Sequence, residues 1–133
     1  MEEYHPDPKG KMEKLTTVRS EILIPQTPQN VSETIMDFKQ VYKFDEYLKS
    51  HDILEDHGDL GKVYTLVFKG VFGIISQRET VVYGTKHEFS NGMIIAPSIS
   101  VTHPDCPQKK DPVRATIFKA GWVFVPVETN DGV

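Results

Sequence analysis

The chain has 133 residues, 38% of them hydrophobic and 26% charged, with a formal net charge of −4. That length suits one domain able to bury a core, and the composition is not that of a disordered chain. An acidic balance without runs of like charge excludes the basic face that a nucleic-acid binder presents. A single cysteine, Cys106, excludes an internal disulfide and suits a reducing compartment. No apolar run reaches the roughly 20 residues of a membrane span, and the opening MEEYHPDPKGKMEK holds no apolar signal-peptide core. A cytoplasmic location is therefore expected.

Residues 1–14 are polar and carry Pro6, Pro8 and Gly10, which reads as a flexible arm ahead of a domain over residues 15–133. Residues 17–24 alternate, with Val18, Ser20, Ile22 and Ile24 against Arg19, Glu21 and Leu23, and predict a strand stopped by Pro25. In PQNVSE, residues 28–33, Asn30 is placed to cap a helix, with Glu33 three positions on as a capping box requires. Val31, Ile35, Met36 and Phe38 form the apolar side of that short helix. A second helix is expected over 38–50 from the spacing of Val41, Tyr42, Phe44, Tyr47 and Leu48. Residues 52–61 are acidic and glycine-bearing, and read as a turn-rich link.

Strand-like segments follow. KVYTLVF (62–68) is the first; GVFGIIS (70–76) reads as a bulged strand or a loop; RETVVYGTK (78–86) alternates. Ser90-Asn91-Gly92 is a tight-turn signal before MIIAPSISVT (93–102), where Pro97 requires a bulge or an edge position. Residues 103–112, with three prolines, read as a polar hairpin loop. VRATIFKAGWVFVP (113–126) then reads as one long strand, with Thr116, Phe118, Ala120, Trp122 and Phe124 on one face. Beyond Lys119 both faces are apolar, so cover on both sides is expected. A further turn is expected at residues 128–133. Strand, two short helices and a run of antiparallel strands make an α+β chain.

The candidate chemistry is thin. Arg78 shares a face with Thr80 and Val82 and points either into the sheet's concave side or to a surface pairing with Glu79; Arg114 has the same two readings. His51-Asp52 and Asp56-His57 belong to the acidic link, where solvation is a simpler account than metal ligation. His103 and Cys106 stand together in the proline-rich loop with no third orienting group, so no catalytic pair is expected. No GxxxxGK[ST] or GxGxxG phosphate loop is present, and no cofactor or metal is expected. Phe68, Phe72, Met93, Ile95, Phe118, Trp122 and Phe124 are explained equally by ordinary core and by the wall of an apolar pocket.

Several stretches resemble the StAR-related lipid-transfer (START) domain. Ile75-Ser76-Gln77-Arg78-Glu79-Thr80-Val81 is similar to that family's serine-x-arginine-acid strand start. Ser100-Val101-Thr102-His103-Pro104, Val113-Arg114-Ala115, Ala120-Gly121-Trp122 and Pro126 are similar to the segments that follow it, and Phe44-Asp45 stands where the family has tryptophan-aspartate. The resemblance implies a helix-grip (START/Bet v 1-like) fold, in which a curved antiparallel sheet encloses an apolar tunnel under a long C-terminal helix. It also implies a non-enzymatic lipid-binding role, with a sterol, phospholipid or sphingolipid held in the tunnel. Arg78, Thr80 and Ser98 are then expected to orient the polar end, with Phe118, Trp122 and Phe124 lining the apolar wall. Transient contact with a membrane surface is implied for transfer. Residues 17–132 resemble the middle of such a domain, without its first elements or its long last helix. That departure leaves a second expectation, a truncated or vestigial interaction module without bound lipid that self-associates through uncovered sheet.

Overall fold

The computed structural model describes residues 2–6, 12–71 and 73–128. Phe72 and residues 129–133 of the turn expected over 128–133 lie outside the described residues. Part of the expected arm forms a two-stranded antiparallel ladder, β1 (Glu2–Pro6) with β2 (Met12–Thr16), Glu2 opposite Thr16. The strand expected at 17–24 is not formed: these residues have no regular structure, and Ile22 is 83% exposed. Alternation supplies strand propensity, but a strand also requires a ladder partner, and none among the described residues pairs with this stretch.

Helix α1 (Pro28–Met36) begins one turn earlier than the asparagine signal suggested. Thr27 is the cap, its side chain accepting from the Asn30 N–H at 3.2 Å. Pro28 takes the first helical position, where its missing N–H costs nothing and its fixed φ suits the turn. Helix α2 (Phe38–Val41) is a single turn capped by Asp37, which accepts from the Lys39 N–H at 2.9 Å. The expected helix over 38–50 therefore ends early. Asp45 accepts from the backbone N–H groups of Tyr47 (3.0 Å) and Leu48 (3.2 Å), an aspartate turn that diverts the chain into a strand.

That strand, β3 (Leu48–Asp56), replaces most of the expected acidic link; only Gly58–Leu60 forms a 3-10 turn. Its charges are tolerated because it is an edge strand. The sheet continues with β4 (Lys62–Phe68), β5 (Arg78–Gly84), β6 (His87–Glu88), β7 (Ile94–Ser100), β8 (Val113–Arg114) and β9 (Ala120–Phe124). The order is β3-β4-β5-β7-β6, with β8 on β5 and β9 on β7; all pairs are antiparallel except β5 with β8. Residues 70, 71 and 73–76 lie outside the named strands, and Val71 N–H donates to the Ile75 carbonyl at 2.9 Å. The Ser90-Asn91-Gly92 turn joins β6 to β7: Gly92 has φ +87°, and Asn91 accepts from the Met93 N–H at 3.1 Å.

Pro97 sits where two ladders part. β6 pairs with β7 at Ile94 and Ile95, β5 pairs with it from Ser98 onward, and the Pro97 carbonyl accepts from Thr85 N–H at 3.1 Å in the gap. A residue's N–H and C=O leave a strand on the same side, so the missing donor falls in that gap. The single long strand expected over 113–126 is broken. β8 pairs with β5, whereas β9 pairs with the far side of β7, and no straight strand can do both. Residues 115–119 cross the end of β7 instead, and Ser100 Oγ accepts from the Ile117 N–H at 2.7 Å. For the same reason 103–112 is not a hairpin loop: β7 and β8 both border β5 and do not pair with each other. Ile94, Ala96 and Phe124 form a core cluster against Val31 and Ile35 of α1.

Candidate functional site

Strand registers sort the side chains onto two faces. Leu66 and Phe68 of β4, Arg78, Thr80 and Val82 of β5, Ala96 and Ser98 of β7, and Trp122 and Phe124 of β9 share one face. The helices lie on that face, with α1 on Ile94, Ala96 and Phe124, and Phe38 of α2 against Tyr64 (ring centroids 5.1 Å) and His51 (4.5 Å). Glu79, Val81, Val63 and Thr65 belong to the other face. The loop after β7 reaches that face, with His103 3.6 Å from Glu55 and the Cys106 carbonyl accepting from Arg114 at 2.9 Å.

Arg78, Thr80, Ser98, Trp122 and Phe124 thus fall on the helix side of the sheet, while Phe118 lies in the crossing segment and is 38% exposed. Arg78 is half-buried at the start of β5, with Nη1 donating to the Ser76 carbonyl at 3.0 Å. Thr80 is 3% exposed, and its Oγ1 has no hydrogen-bond partner. Phe124 is core, but Trp122 is 55% exposed and stacks on Phe124 with centroids 6.3 Å apart. The two-sided cover expected beyond Lys119 is not formed: Val123, Val125 and Val127 are exposed, and among the described residues β9 pairs only with β7. Beside Trp122 an open cavity of about 530 Å³ is bounded by residues 42–47, so aromatic groups flank it on two sides.

Of the two arginines, Arg114 is the deeper: its Nη2 donates to Glu79 Oε2 (3.1 Å) and to the Cys106 carbonyl (2.9 Å), and both partners of the ion pair are 13% exposed. Glu79 is thereby unavailable to Arg78. Burial, then the neighbouring Glu79, pushes the Cys106 thiol up, which disfavours the thiolate a nucleophile needs. His103 faces Glu55 at 3.6 Å, not the thiol. His51 lies in β3 and meets Tyr42 and Phe38, and no cluster of three metal-binding side chains occurs among the described residues.

Sequence reasoning passed over Tyr64. Its phenol is pushed up by burial, and its ring lies over Gly84, where a Cβ would come within 3.2 Å of the Tyr64 hydroxyl. The period-2 pattern of 62–68 already placed Tyr64 with Leu66 and Phe68, and was the signal that could have found it.

Solved structures share this arrangement. Human StAR-related lipid transfer protein 5 aligns with a TM-score of 0.67 at 24% identity over 76% of this chain and 49% of its own. Human STARD10 gives 0.67 at 18% identity over 73% of this chain and 39% of its own. A fragment of a STAR-related lipid transfer protein from Xanthomonas axonopodis gives 0.66 at 18% identity over 95% and 74%. The chain thus spans less than half the length of the two human structures. Comparison with curated protein sequences gives no match. The antiparallel sheet with two short helices is the fold of these neighbours, and no long helix follows β9 among the described residues. The START-domain family model matches residues 3–131, and the chain belongs to that family.

Proposed function

We propose that the protein binds and transfers a lipid without catalysing a reaction on it. The apolar part of a sterol or phospholipid lies against the helix-side face, and the polar groups among it orient the polar end. The observation that carries this reading is Thr80, whose buried hydroxyl lacks a partner and which has Leu66 opposite it and Phe68 and Val82 as neighbours on the same face. Apolar walls with a few placed polar groups are what a ligand pocket requires, and burial of a lipid tail is worth about 25 cal/mol per Å². START-family membership and the lipid-transfer names of the neighbours support the same class of ligand. Transfer involves transient contact with a membrane surface from the cytoplasmic side; the single cysteine suits that compartment. Organic extraction of the natively purified protein, followed by mass spectrometry, tests the reading. One stoichiometric lipid is expected. An empty extract from folded protein favours a lipid-free interaction module, a second reading supported by the exposed, uncharged edge of β9.

A further inference from the structure

We infer that the lipid accepted on the helix-side face has an uncharged polar end, a hydroxyl or a carbonyl, that bonds to Thr80, and that phosphorylated head groups are not retained. The inference rests on the lipid-binding reading and narrows it. A buried hydroxyl without a partner is costly to the empty protein, and a ligand atom that completes its hydrogen bond recovers that cost on binding. Thr80 Oγ1 is such an atom, on a residue 3% exposed with Leu66 opposite it in the register. A threonine hydroxyl both donates and accepts, so it suits an alcohol or a carbonyl equally.

Between the ends of β4, β5 and β7, the other polar groups on this face are also uncharged. Tyr64 lies over Gly84, its phenol held neutral by burial, and Ser98 is the register partner of Gly84 on the next strand. The charged side chains of the face stand at its ends. Arg78 opens β5 and donates to the Ser76 carbonyl, while Lys62 opens β4 and faces Asp56 at 3.6 Å. The buried ion pair, Glu79 with Arg114, belongs to the opposite face. A phosphodiester moved into such a site loses its hydration and requires charge-assisted donors in return. One neutral hydroxyl does not supply them.

The test is retention of radiolabelled lipid from donor vesicles containing, in separate experiments, dioleoylglycerol, cholesterol or dioleoylphosphatidylcholine. Wild type is expected to retain an uncharged lipid well above the phosphatidylcholine. Thr80→Val, which preserves shape and removes the hydroxyl, is expected to weaken that retention by about tenfold, the weight of one neutral hydrogen bond. Thr80→Ser is expected to restore it. Thermal melting of the empty proteins separates this from misfolding: Thr80→Val is expected to melt no lower than wild type, since the substitution removes an unpartnered polar atom. Preferential retention of phosphatidylcholine with loss in Arg78→Ala overturns the inference and leaves the lipid-binding reading standing. Equal retention of the uncharged lipid by wild type and Thr80→Val overturns the role of Thr80. Retention of none of the three by wild type overturns both.

Discussion

Arg114 and Glu79 are each 13% exposed, and their bond at 3.1 Å is reinforced by the Cys106 carbonyl at 2.9 Å. Removing one partner of such a pair leaves an uncompensated charge in a dry setting, which costs about 3–5 kcal/mol. Arg114→Ala is therefore expected to lower the urea midpoint severely, while the paired replacement Glu79→Leu with Arg114→Met recovers most of the loss. A single substitution that costs under about 1 kcal/mol would show that water screens the pair. Tyr64 gives a residue-scale signature of a different kind. Burial raises its phenol above the ordinary 10.0, so the folded state favours the neutral form. The stability it contributes is fully present below that ordinary value and is lost as pH rises through the folded one. In an alkaline absorbance titration one tyrosine is expected to ionise late, and Tyr64→Phe to abolish that late phase; persistence of the phase in the variant would place the buried phenol elsewhere.

Among the elements, α1 depends most on a single cap. Thr27 meets the Asn30 N–H, and no acidic residue in the first turn assists it. Thr27→Ala is expected to cost about 1 kcal/mol in denaturant unfolding. Asn30→Ala is expected to cost less, since Asn30 lies inside the helix and its amide only reaches Gln26. Equal losses would restore Asn30 as the cap. The misplaced cap shows what was legible locally and what was not. A helix start was readable at PQNVSE, but Pro28 decided its position. β4, β5 and β7 were legible as short runs rich in β-branched and aromatic residues; period 2 put Arg78 with Thr80 and Trp122 with Phe124, and the registers put these with Ser98 on one face. Residues 17–24 carry the same alternation and form no strand, because pairing is a property of distant partners. Phe44 and Tyr47 keep helical spacing, yet α2 stops at Val41 and Asp45 captures two backbone N–H groups that turn the chain into β3. The break at 115–119 follows from sheet order, which no local pattern encodes.

At the scale of the whole molecule, the two edges of the sheet are built in opposite ways. β3 carries Lys49, Asp52, Glu55 and Asp56, charges that discourage another strand from pairing with it. β9, AGWVF, carries none; Trp122 and Val123 are exposed, and exposed Val125 and Val127 extend the apolar line. Gly121 lets β9 lie close on β7, since a Cβ there would stand 2.8 Å from the Ala96 carbonyl oxygen. The inner flank of β9 is therefore tightly paired, while its outer flank offers backbone groups beside apolar side chains. Such an edge recruits another strand, and a second copy supplies one with no like charges to oppose it. Sedimentation velocity over a range of concentrations is expected to show reversible self-association of wild type. Val123→Lys places a charge on the exposed edge and is expected to hold the protein monomeric, with unfolding free energy within about 0.5 kcal/mol of wild type. Wild type that stays monomeric at every concentration would mean the outer flank of β9 is already satisfied in solution. Association that persists in Val123→Lys would move the contact to another surface, of which the exposed Val18, Ile22 and Leu23 stretch is the first to examine.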